Sequence, residues 1–398
     1  MRLSFVSMAI VLGLLSAVGP FAIDMYLPAL PTITADLQAA TAATQMTLTA
    51  FFIAFGVCQL VYGPVSDMLG RKRPLYFGLV VFLLGSLGCT VAPSIDALVL
   101  LRIVQGIGAA SVAVIPRAII RDLHTGTQAT RLMSLVMLVF SVSPILAPLT
   151  GSGLIVAAGW RAIFIVLAVA SLVSLFLTAV VLPETRPAAE RTVVSARDVV
   201  RSFASLLVHR RFLGLTFIGG LGISSFFAFL ASSSFVYIDH FHLTPTQYGL
   251  AFSINAVGFI GASQFSASLG ERFGMSRVVG VSVGCYAAFA LVLLATTAVG
   301  VDSLAVLMAL IFPCFAFLGL VVPATMVLSL DDQGPIAGMA ASLGGTLQMI
   351  TGGVVMVIVS AFFDGTAAPM VGGIAACAVG AAILSFLVLS QPRLAAAE

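Results

Sequence analysis

Twelve long apolar runs constrain this chain of 398 residues more than any other feature. An α-helix rises about 1.5 Å per residue, so about 20 apolar residues cross the hydrocarbon core of a bilayer. A hydrophobic content of 60%, a charged content of 8% and a mean hydropathy of +1.17 exclude a soluble globular protein, which needs a charged surface. The strands of a membrane β-barrel would be shorter and would alternate in polarity. The sequence therefore predicts an all-α membrane protein with twelve transmembrane helices. Their predicted ranges are 5–28, 44–65, 75–93, 97–119, 132–156, 161–182, 212–236, 247–269, 277–298, 303–328, 336–362 and 367–389.

Basic residues predict the orientation of these spans. They lie almost entirely in the even-numbered connections, whereas the odd-numbered connections carry only Arg161. Because positively charged connections stay on the cytoplasmic side, we expect both termini in the cytoplasm. The basic residues of the even-numbered connections are Arg71, Lys72, Arg73, Arg121, Arg131, Arg186, Arg191, Arg197, Arg201, Arg210, Arg211, Arg272 and Arg277.

The longest connection divides the chain into two sets of six spans. We predict an N-terminal six-helix bundle over 1–182, a cytoplasmic linker over 183–211 and a C-terminal six-helix bundle over 212–398. Within the linker, Ser195 and Asp198 have the spacing of a helix cap, and an apolar face follows them. Two interpretations are open, a short helix on the membrane surface and a solvated linker. The apolar face consists of Val199, Val200, Phe203, Leu206 and Leu207.

A repeated turn indicates that the two halves are diverged copies. Asp67 is followed three residues later by Gly70 and then by Arg71, after the second span. Glu271 is followed three residues later by Gly274 after the eighth span, with a base three residues further on. Many secondary transporters are built from such repeats, with the substrate site between the halves near the middle of the bilayer. The pattern predicts two pseudo-symmetric bundles.

Asp24 places a carboxylate inside the first apolar run. An ionisable residue within a membrane span is costly, and by default it indicates a functional site that faces the protein interior. Two other interpretations are open: Asp24 lies at the outer interface, or it caps a local turn before Pro28. Arg102 in the fourth span is expected at a similar depth, because the first span runs outward and the fourth runs inward.

The pair suggests a proton-coupling site. Burial disfavours the charged carboxylate, whereas a nearby guanidinium favours it. If the two effects nearly cancel, Asp24 exchanges protons at physiological pH and competes with a bound substrate. The alternative is that Arg102 is a structural strut that bonds backbone carbonyls.

Few other polar residues are available for a substrate cavity. The amides of the spans can donate hydrogen bonds to a substrate, or they can join helices to each other. The aromatic residues can line an apolar pocket or pack in the core. The candidates are Tyr26, Gln59, Gln105, Phe226, Phe227, Asn255 and Gln348.

Two further segments suggest conformational roles. Pro144 and Pro148 lie on one face of the fifth span, where each removes a backbone donor, so a kink is expected. Gly151 and Gly153 are expected to let a neighbouring helix approach closely, which is also the packing alternative to a role in transport.

The segment Gly63, Asp67, Gly70, Arg71 and Lys72 lies at the cytoplasmic end of the second span. Its acid can meet the positive end of the eleventh span, which opens with Gly334-Pro335, and so latch the halves together. The alternative is a solvated group of charges that fixes topology.

Several functions are disfavoured by what the sequence lacks. The chain has one lysine and no phosphate-binding loop, so ATP is not expected to drive it. The cysteines lie singly in apolar runs and the histidines lie in connections, so no metal, cofactor or disulfide is expected. The spans contain no arrangement of nucleophile and base or of paired carboxylates, so an enzyme is not expected.

These motifs together resemble the major facilitator superfamily. Gly63-Pro64-x-x-Asp67-x-x-Gly70-Arg71-Lys72 is similar to its cytoplasmic signature, although Met68 stands where that signature has a base. Arg102-x-x-Gln105-Gly106-x-Gly108 is similar to its arginine motif, and 143–151 is similar to the proline-glycine signature of its drug exporters. The segment 23–31 and Gly159-Trp160-Arg161-x-x-Phe164 resemble the branch that confers bicyclomycin and chloramphenicol resistance, Bcr/CflA.

The resemblance implies a proton-coupled multidrug exporter in a bacterial inner membrane. Its expected partners are protons, the lipid bilayer and amphipathic drugs such as chloramphenicol- or bicyclomycin-like compounds, without ATP, nucleic acid or a partner chain. It also implies that the inner latch favours the outward-facing state, and that 143–151 helps to close the cavity and limit proton leak. Two alternatives are open: export of an amino acid or short peptide, and a passive channel or sensor built on a transporter fold.

Overall fold

The computed structural model describes residues 5–124, 126–187, 196–331 and 333–389. These residues form α-helices joined by short turns, with short 3₁₀ helices at Leu27–Ala29 and Gly334–Ile336 and a π-helix at Phe235–His240. The α-helices are α1 (Phe5–Asp24), α2 (Leu30–Asp36), α3 (Thr41–Leu69), α4 (Lys72–Thr90), α5 (Ile95–Leu123), α6 (Gly126–Ala158), α7 (Arg161–Val180), α8 (Ala196–Val208), α9 (Arg210–Ser234), α10 (Pro245–Ser263), α11 (Ser266–Phe273), α12 (Met275–Ala298), α13 (Leu304–Leu330), α14 (Ala337–Ala361) and α15 (Ala368–Leu389).

In these residues, 12 helical stretches are long and apolar enough to cross a membrane, so the predicted fold class is confirmed. The first stretch runs from Phe5 to Asp36, eight residues beyond the predicted end at Pro28. The prediction stopped too early because prolines were taken as the end of the helix. Here Pro28 and Pro31 begin new helical turns, positions at which a proline loses no helical hydrogen bond.

The chain divides into two compact units. Unit 1 consists of Met1–Ala196 and Ala231–Ser253, and unit 2 consists of Arg197–Leu230 and Ile254–Glu398. In unit 1, α5 packs against α3 and α4, α4 packs against α7, and α1 packs against α6. In unit 2, α12 packs against α13 and α15. The six-helix bundles at 1–182 and 212–398 stay a prediction.

Glycines allow α5 to approach its neighbours closely. A Cβ atom on Gly106 would lie 2.6 Å from the carbonyl oxygen of Phe51 in α3. A Cβ atom on Gly85 in α4 would lie 2.8 Å from the backbone nitrogen of Gln105. Backbone contact of this kind is how helices pack in a membrane, where no hydrophobic driving force acts between them. It fixes the position of Arg102, which α5 carries.

The repeated turn has the same backbone form in both halves. Gly70 follows the end of α3 with φ of 87°, and Gly274 follows the end of α11 with φ of 84°. Both angles lie in the left-handed region that favours glycine. The two positions are 204 residues apart (274 − 70), as the predicted repeat requires.

The linker contains the helix α8, and its described apolar face packs partly on the protein. Leu206 is buried in a cluster of unit 2 with Phe212 of α9 and with Ala340 and Leu343 of α14. Leu207 remains 47% exposed. The proposed cap residue Ser195 and the neighbouring Arg191 lie outside the described residues. The helix is therefore anchored to unit 2 rather than being an extended solvated linker.

Candidate functional site

Asp24 is the last residue of α1, and the chain turns directly after it. The backbone N–H of Met25 donates to the carbonyl of Phe21 at 3.1 Å, whereas that of Tyr26 donates to Ile23 at 3.2 Å, so the helix tightens. The side chain of Asp24 is buried, with the residue 6% exposed. It lies twelve residues before Asp36 (36 − 24), about 18 Å along the helix from that end. Asp24 therefore lies well inside the first membrane-spanning stretch, which continues to Asp36.

Arg102 is fully buried and lies against the end of α1. Its Cζ atom is 4.5 Å from the ring centre of Tyr26 and 4.3 Å from that of Phe51. Its Nη1 donates to the carbonyl of Ala22 at 3.2 Å, two residues before Asp24. The guanidinium thus meets the first span beside Asp24, as the topology suggested. In the described part of the chain no ion pair joins Arg102 to Asp24, and Nε and Nη2 of Arg102 have no hydrogen-bond partner there.

Gln105 holds Arg102 from the other side. Its Oε1 accepts a hydrogen bond from Arg102 Nη1, and its Nε2 donates to Ser86 Oγ at 2.8 Å. Ser86 Oγ in turn donates to the carbonyl of Phe82 at 2.8 Å. The oxygen and the nitrogen of the Gln105 amide therefore both form hydrogen bonds within unit 1. This arrangement makes Gln105 a positioning residue for the guanidinium, one turn further along α5.

Tyr26 closes the aromatic side of this cluster. Its hydroxyl forms a hydrogen bond with Thr47 Oγ1 at 2.7 Å, and Thr47 donates to the carbonyl of Thr44 at 2.6 Å. Its ring lies 5.7 Å from that of Phe164 in α7. The residue is fully buried. Among the proposed cavity residues of unit 1, Tyr26 and Gln105 are thus brought together by Arg102, whereas Gln59 is half-buried on α3.

Gly151 on α6 packs directly on the turn after Asp24. A Cβ atom on Gly151 would overlap the carbonyl oxygen of Met25. The expectation for Gly153 was wrong: it is exposed, and a Cβ atom there would meet nothing within 4 Å. Residues two positions apart in a helix point to different sides, so only one of the two glycines can face α1. Pro144 and Pro148 lie inside the continuous helix α6, and the kink expected there stays a prediction.

Residues 231–253 complete unit 1 beside this turn. Tyr248 is fully buried, its hydroxyl bonds Ser233 Oγ at 3.1 Å, and it is close enough to Asp24 to interact with it electrostatically. Gln45 Nε2 donates to the carbonyl of Ala231 at 3.0 Å, and Ser152 Oγ donates to that of Pro245 at 2.7 Å. Tyr248 and Ser233 were not predicted from the sequence, because a tyrosine and a serine in apolar runs give no signal of what they face.

Comparison with protein families identifies the family of this chain. The model of the Major Facilitator Superfamily matches residues 12–356. The chain belongs to this superfamily. The resemblance drawn from the motifs is confirmed, and it places this multi-pass membrane protein among transporters rather than enzymes.

The transporter is similar in sequence to known relatives along nearly its whole length. It is 34% identical over 389 residues to the uncharacterized MFS-type transporter YdgK of Bacillus subtilis, covering 97% of this chain and 96% of the relative. It is 30% identical to the bicyclomycin resistance protein homolog of Haemophilus influenzae, over 96% of this chain and 95% of the relative. The crystal structure of a D-xylose-proton symporter has the same fold, with a TM-score of 0.74 at 17% identity over 96% of this chain and 98% of that one.

A motif of the transporter's resistance branch joins the end of the first span to the Arg102 cluster. Trp160 Nε1 donates to Asp36 Oδ2 at 3.0 Å, and Arg161 Nη1 donates to the same oxygen at 2.7 Å. The rings of Trp160 and Phe164 lie 6.0 Å apart, and Phe164 also contacts Tyr26. The motif therefore supports the turn after Asp24 through two aromatic contacts.

The aromatic residues proposed for the cavity in unit 2 pack against other helices of that unit. Phe226 of α9 stacks on Phe259 at 5.8 Å and meets Phe315 edge-on at 5.6 Å. Phe227 is buried, with its ring against Gly352 of α14. These contacts match the packing alternative for the aromatic residues.

The two amides of unit 2 also lie among helices. Asn255 on α10 is buried. Gln348 on α14 is half-buried, and its Nε2 would lie 3.1 Å from a Cβ atom on Gly219 of α9. A larger residue at that glycine would therefore displace the amide.

The residues predicted to form a latch pair with each other and with neighbours in unit 1. Arg71 is buried and forms ion pairs with Asp67 at 2.8 Å and with Asp122 at 2.7 Å. Arg186 pairs with Asp67 at 2.7 Å. The backbone N–H groups of Arg71 and Lys72 donate to the carboxylate of Glu184 at 2.8 and 3.1 Å. Burial would lower the pKa of Arg71, but Asp122 and Asp67 outweigh it and raise the pKa. The segment after α7 is thus tied to the turn between α3 and α4.

Proposed function

We propose that this transporter exports amphipathic drugs, such as chloramphenicol- or bicyclomycin-like compounds, in exchange for protons across a bacterial inner membrane. The named function of its Haemophilus influenzae relative supports the substrate class. Both termini lie in the cytoplasm in this proposal, since the even-numbered connections carry nearly all the basic residues. We also propose that it works as a monomer and without ATP.

Asp24 carries the proposal. Among the described residues it is the one buried carboxylate. An ionised carboxylate in an apolar interior costs on the order of several kcal/mol unless it is paired, whereas the protonated acid costs far less. Its state is therefore coupled to any charged or hydrogen-bonding group that reaches it. A proton and a drug compete for it in the proposed mechanism.

Arg102 supplies the second half of the mechanism. Two of its buried nitrogen atoms, Nε and Nη2, have no hydrogen-bond partner among the described residues. The guanidinium can therefore still donate hydrogen bonds to a carboxylate. We infer that ionised Asp24 turns toward Arg102, and that protonation or a bound drug releases it. Gln105 and Ala22 hold the guanidinium in place during this exchange.

The two six-helix bundles, 1–182 and 212–398, move about the linker 183–211 in this proposal. The cavity includes Gln59, Phe226, Phe227, Asn255 and Gln348. Asp67 acts as a latch on the cytoplasmic side. Its ion pairs with Arg71 and Arg186 fix the position of its carboxylate in unit 1. Pro144 and Pro148 shape the helix that closes over the cavity.

The experiment measures uphill drug transport in inverted membrane vesicles energised by respiration. Collapse of the proton gradient is expected to stop transport, and removal of ATP is expected to leave it unchanged. Asp24→Asn is expected to fold normally but to lose gradient-driven transport, because the amide cannot release a proton. Asp96→Asn, which changes an exposed acid at the start of α5, is the matched control and is expected to transport normally. Transport by Asp24→Asn equal to the parent at equal abundance would refute the role of this carboxylate.

A further inference from the structure

An apolar groove lies between α1 and α6 in unit 1. It has a volume of about 440 Å³, and apolar side chains of both helices line it, including Ile10 and Leu14 from α1 and Leu135 from α6. The small residues Gly13 and Ala17 form its floor, and a Cβ atom on Gly13 would lie 3.2 Å from Val139 of α6. The lining positions of α1 recur every three or four residues, so they form one continuous face of the helix.

The groove has the length of one bilayer leaflet. Its lining extends from residue 5 to residue 17 of α1, which is about 18 Å along the helix axis. Half of the hydrocarbon core of a bilayer is about 15 Å thick. Ile10 is 56% exposed and Leu14 is 49% exposed, which fits a surface covered by hydrocarbon in the membrane. The dimensions match an extended acyl chain that enters from one leaflet.

One end of the groove carries a positive charge. Arg131 is exposed and is the one charged residue among the described side chains of the lining. Its Cζ atom lies 5.5 Å from the ring centre of Phe5, and the ring of His124 meets the same phenyl ring edge-on at 5.9 Å. A guanidinium binds a phosphate through two parallel hydrogen bonds. A headgroup at this end would therefore meet a matching cation while its acyl chain lies in the groove.

We propose that the groove is a binding site for one anionic glycerophospholipid, with its headgroup phosphate on Arg131 and an acyl chain between α1 and α6. The charged end lies on the side of the N-terminus. Under the orientation proposed above, the site therefore takes its lipid from the inner leaflet. The proposal does not depend on the transported substrate, because it rests on the shape and the charge of this groove.

A site-specific signal can be built into the full chain, which has one tryptophan. Trp160→Phe removes that signal, and Leu135→Trp then places a single indole in the groove. Bromine atoms on the acyl chains of phosphatidylglycerol are expected to quench this indole more strongly than bromines on phosphatidylcholine at equal lipid fraction in detergent micelles. Equal quenching by the two lipids would overturn the anionic preference.

The headgroup contact is tested with Arg131→Gln, measured by native mass spectrometry of the full chain titrated with the same two lipids. Its preference for phosphatidylglycerol over phosphatidylcholine is expected to fall about fivefold, the factor expected of one arginine at an anionic surface. Arg272→Gln is the matched control, because that exposed arginine also lies over a phenyl ring, 5.2 Å from the centre of Phe273, and does not line this groove. An unchanged preference in Arg131→Gln, or an equal loss in Arg272→Gln, would overturn the proposal.

The acyl-chain contact is tested with Ala17→Phe, which fills the groove. Retention of both lipids is expected to fall, whereas Val169→Phe, at a position of α7 that is 53% exposed, leaves it unchanged. Lipid retention by Ala17→Phe equal to that of the parent would overturn the assignment of the groove. Displacement of the brominated lipid by an exported drug at its transport concentration would also overturn it, since the groove would then be a drug entry path.

Discussion

Replacing Gly151 by alanine tests whether the turn after Asp24 must fit against α6. The added Cβ atom would overlap the carbonyl oxygen of Met25 and would lie 2.9 Å from its carbonyl carbon and 3.0 Å from its Cα. All three are backbone atoms, so no side-chain rotation relieves the overlap and one helix must move. Overpacking of this kind costs about 1–3 kcal/mol.

Gly153→Ala provides the matched control in the same helix. The substitution is chemically identical, and the new Cβ atom would meet nothing within 4 Å. Alanine favours a helix over glycine by up to about 1 kcal/mol, and this gain is common to both variants. The difference in unfolding free energy between the two variants therefore isolates the overlap, and we expect it to be about 1–3 kcal/mol in disfavour of Gly151→Ala.

The assay combines unfolding in detergent with gradient-driven export. We expect Gly151→Ala to lose export beyond what its loss of folded protein explains, because the shifted turn carries Asp24. Gly153→Ala is expected to match the parent in export and to exceed it in stability by up to about 1 kcal/mol, because its new Cβ atom meets nothing. Equal stability and equal export of the two alanine variants would refute the contact between α6 and the turn as a requirement.

Three further predictions follow from the contacts in unit 1. Arg102→Lys is expected to lose most export at near-normal abundance, because one ammonium group cannot contact two rings and two acceptors at once; normal uptake by vesicles would contradict this. Asp67→Asn is expected to slow turnover several-fold while drug affinity, measured by equilibrium binding, stays unchanged, with Glu271→Gln of the repeated turn as the control. Trp160→Phe is expected to lower the unfolding free energy by about 1 kcal/mol, since it loses one hydrogen bond to the half-exposed Asp36; a thermal-unfolding midpoint equal to that of the parent would speak against it.

The sequence predicts the spans well because hydropathy depends on composition and length, not on partners. All twelve predicted spans overlap the observed ones. The end of the first span was misjudged at Pro28, where a proline can equally begin a helical turn. The repeated glycine turn was also predictable, because it depends on local backbone angles. Gly70 and Gly274 occupy angles that favour glycine.

Side-chain partners were much less predictable. The motif that contains Arg102 and Gln105 indicated a buried polar group, but not that the amide would hold the guanidinium or that two rings would cover it. Gly151 and Gly153 look alike in the sequence, and only the packing of α1 on α6 separates them. Contacts of this kind depend on the rotation of each helix about its axis, which apolar runs in a membrane do not determine.

The contacts around the turn after Asp24 converge from three motifs that are distant in the chain. Gly151 contacts the backbone of Met25, and Arg102 bonds the backbone two residues before Asp24. Phe164 reaches the turn through the ring of Tyr26. Backbone contacts hold the turn in place without neutralising the carboxylate, so they leave its charge free to depend on protons and substrate. In the proposed exchange of a proton for a drug, such a turn keeps the carboxylate in place while its protonation changes.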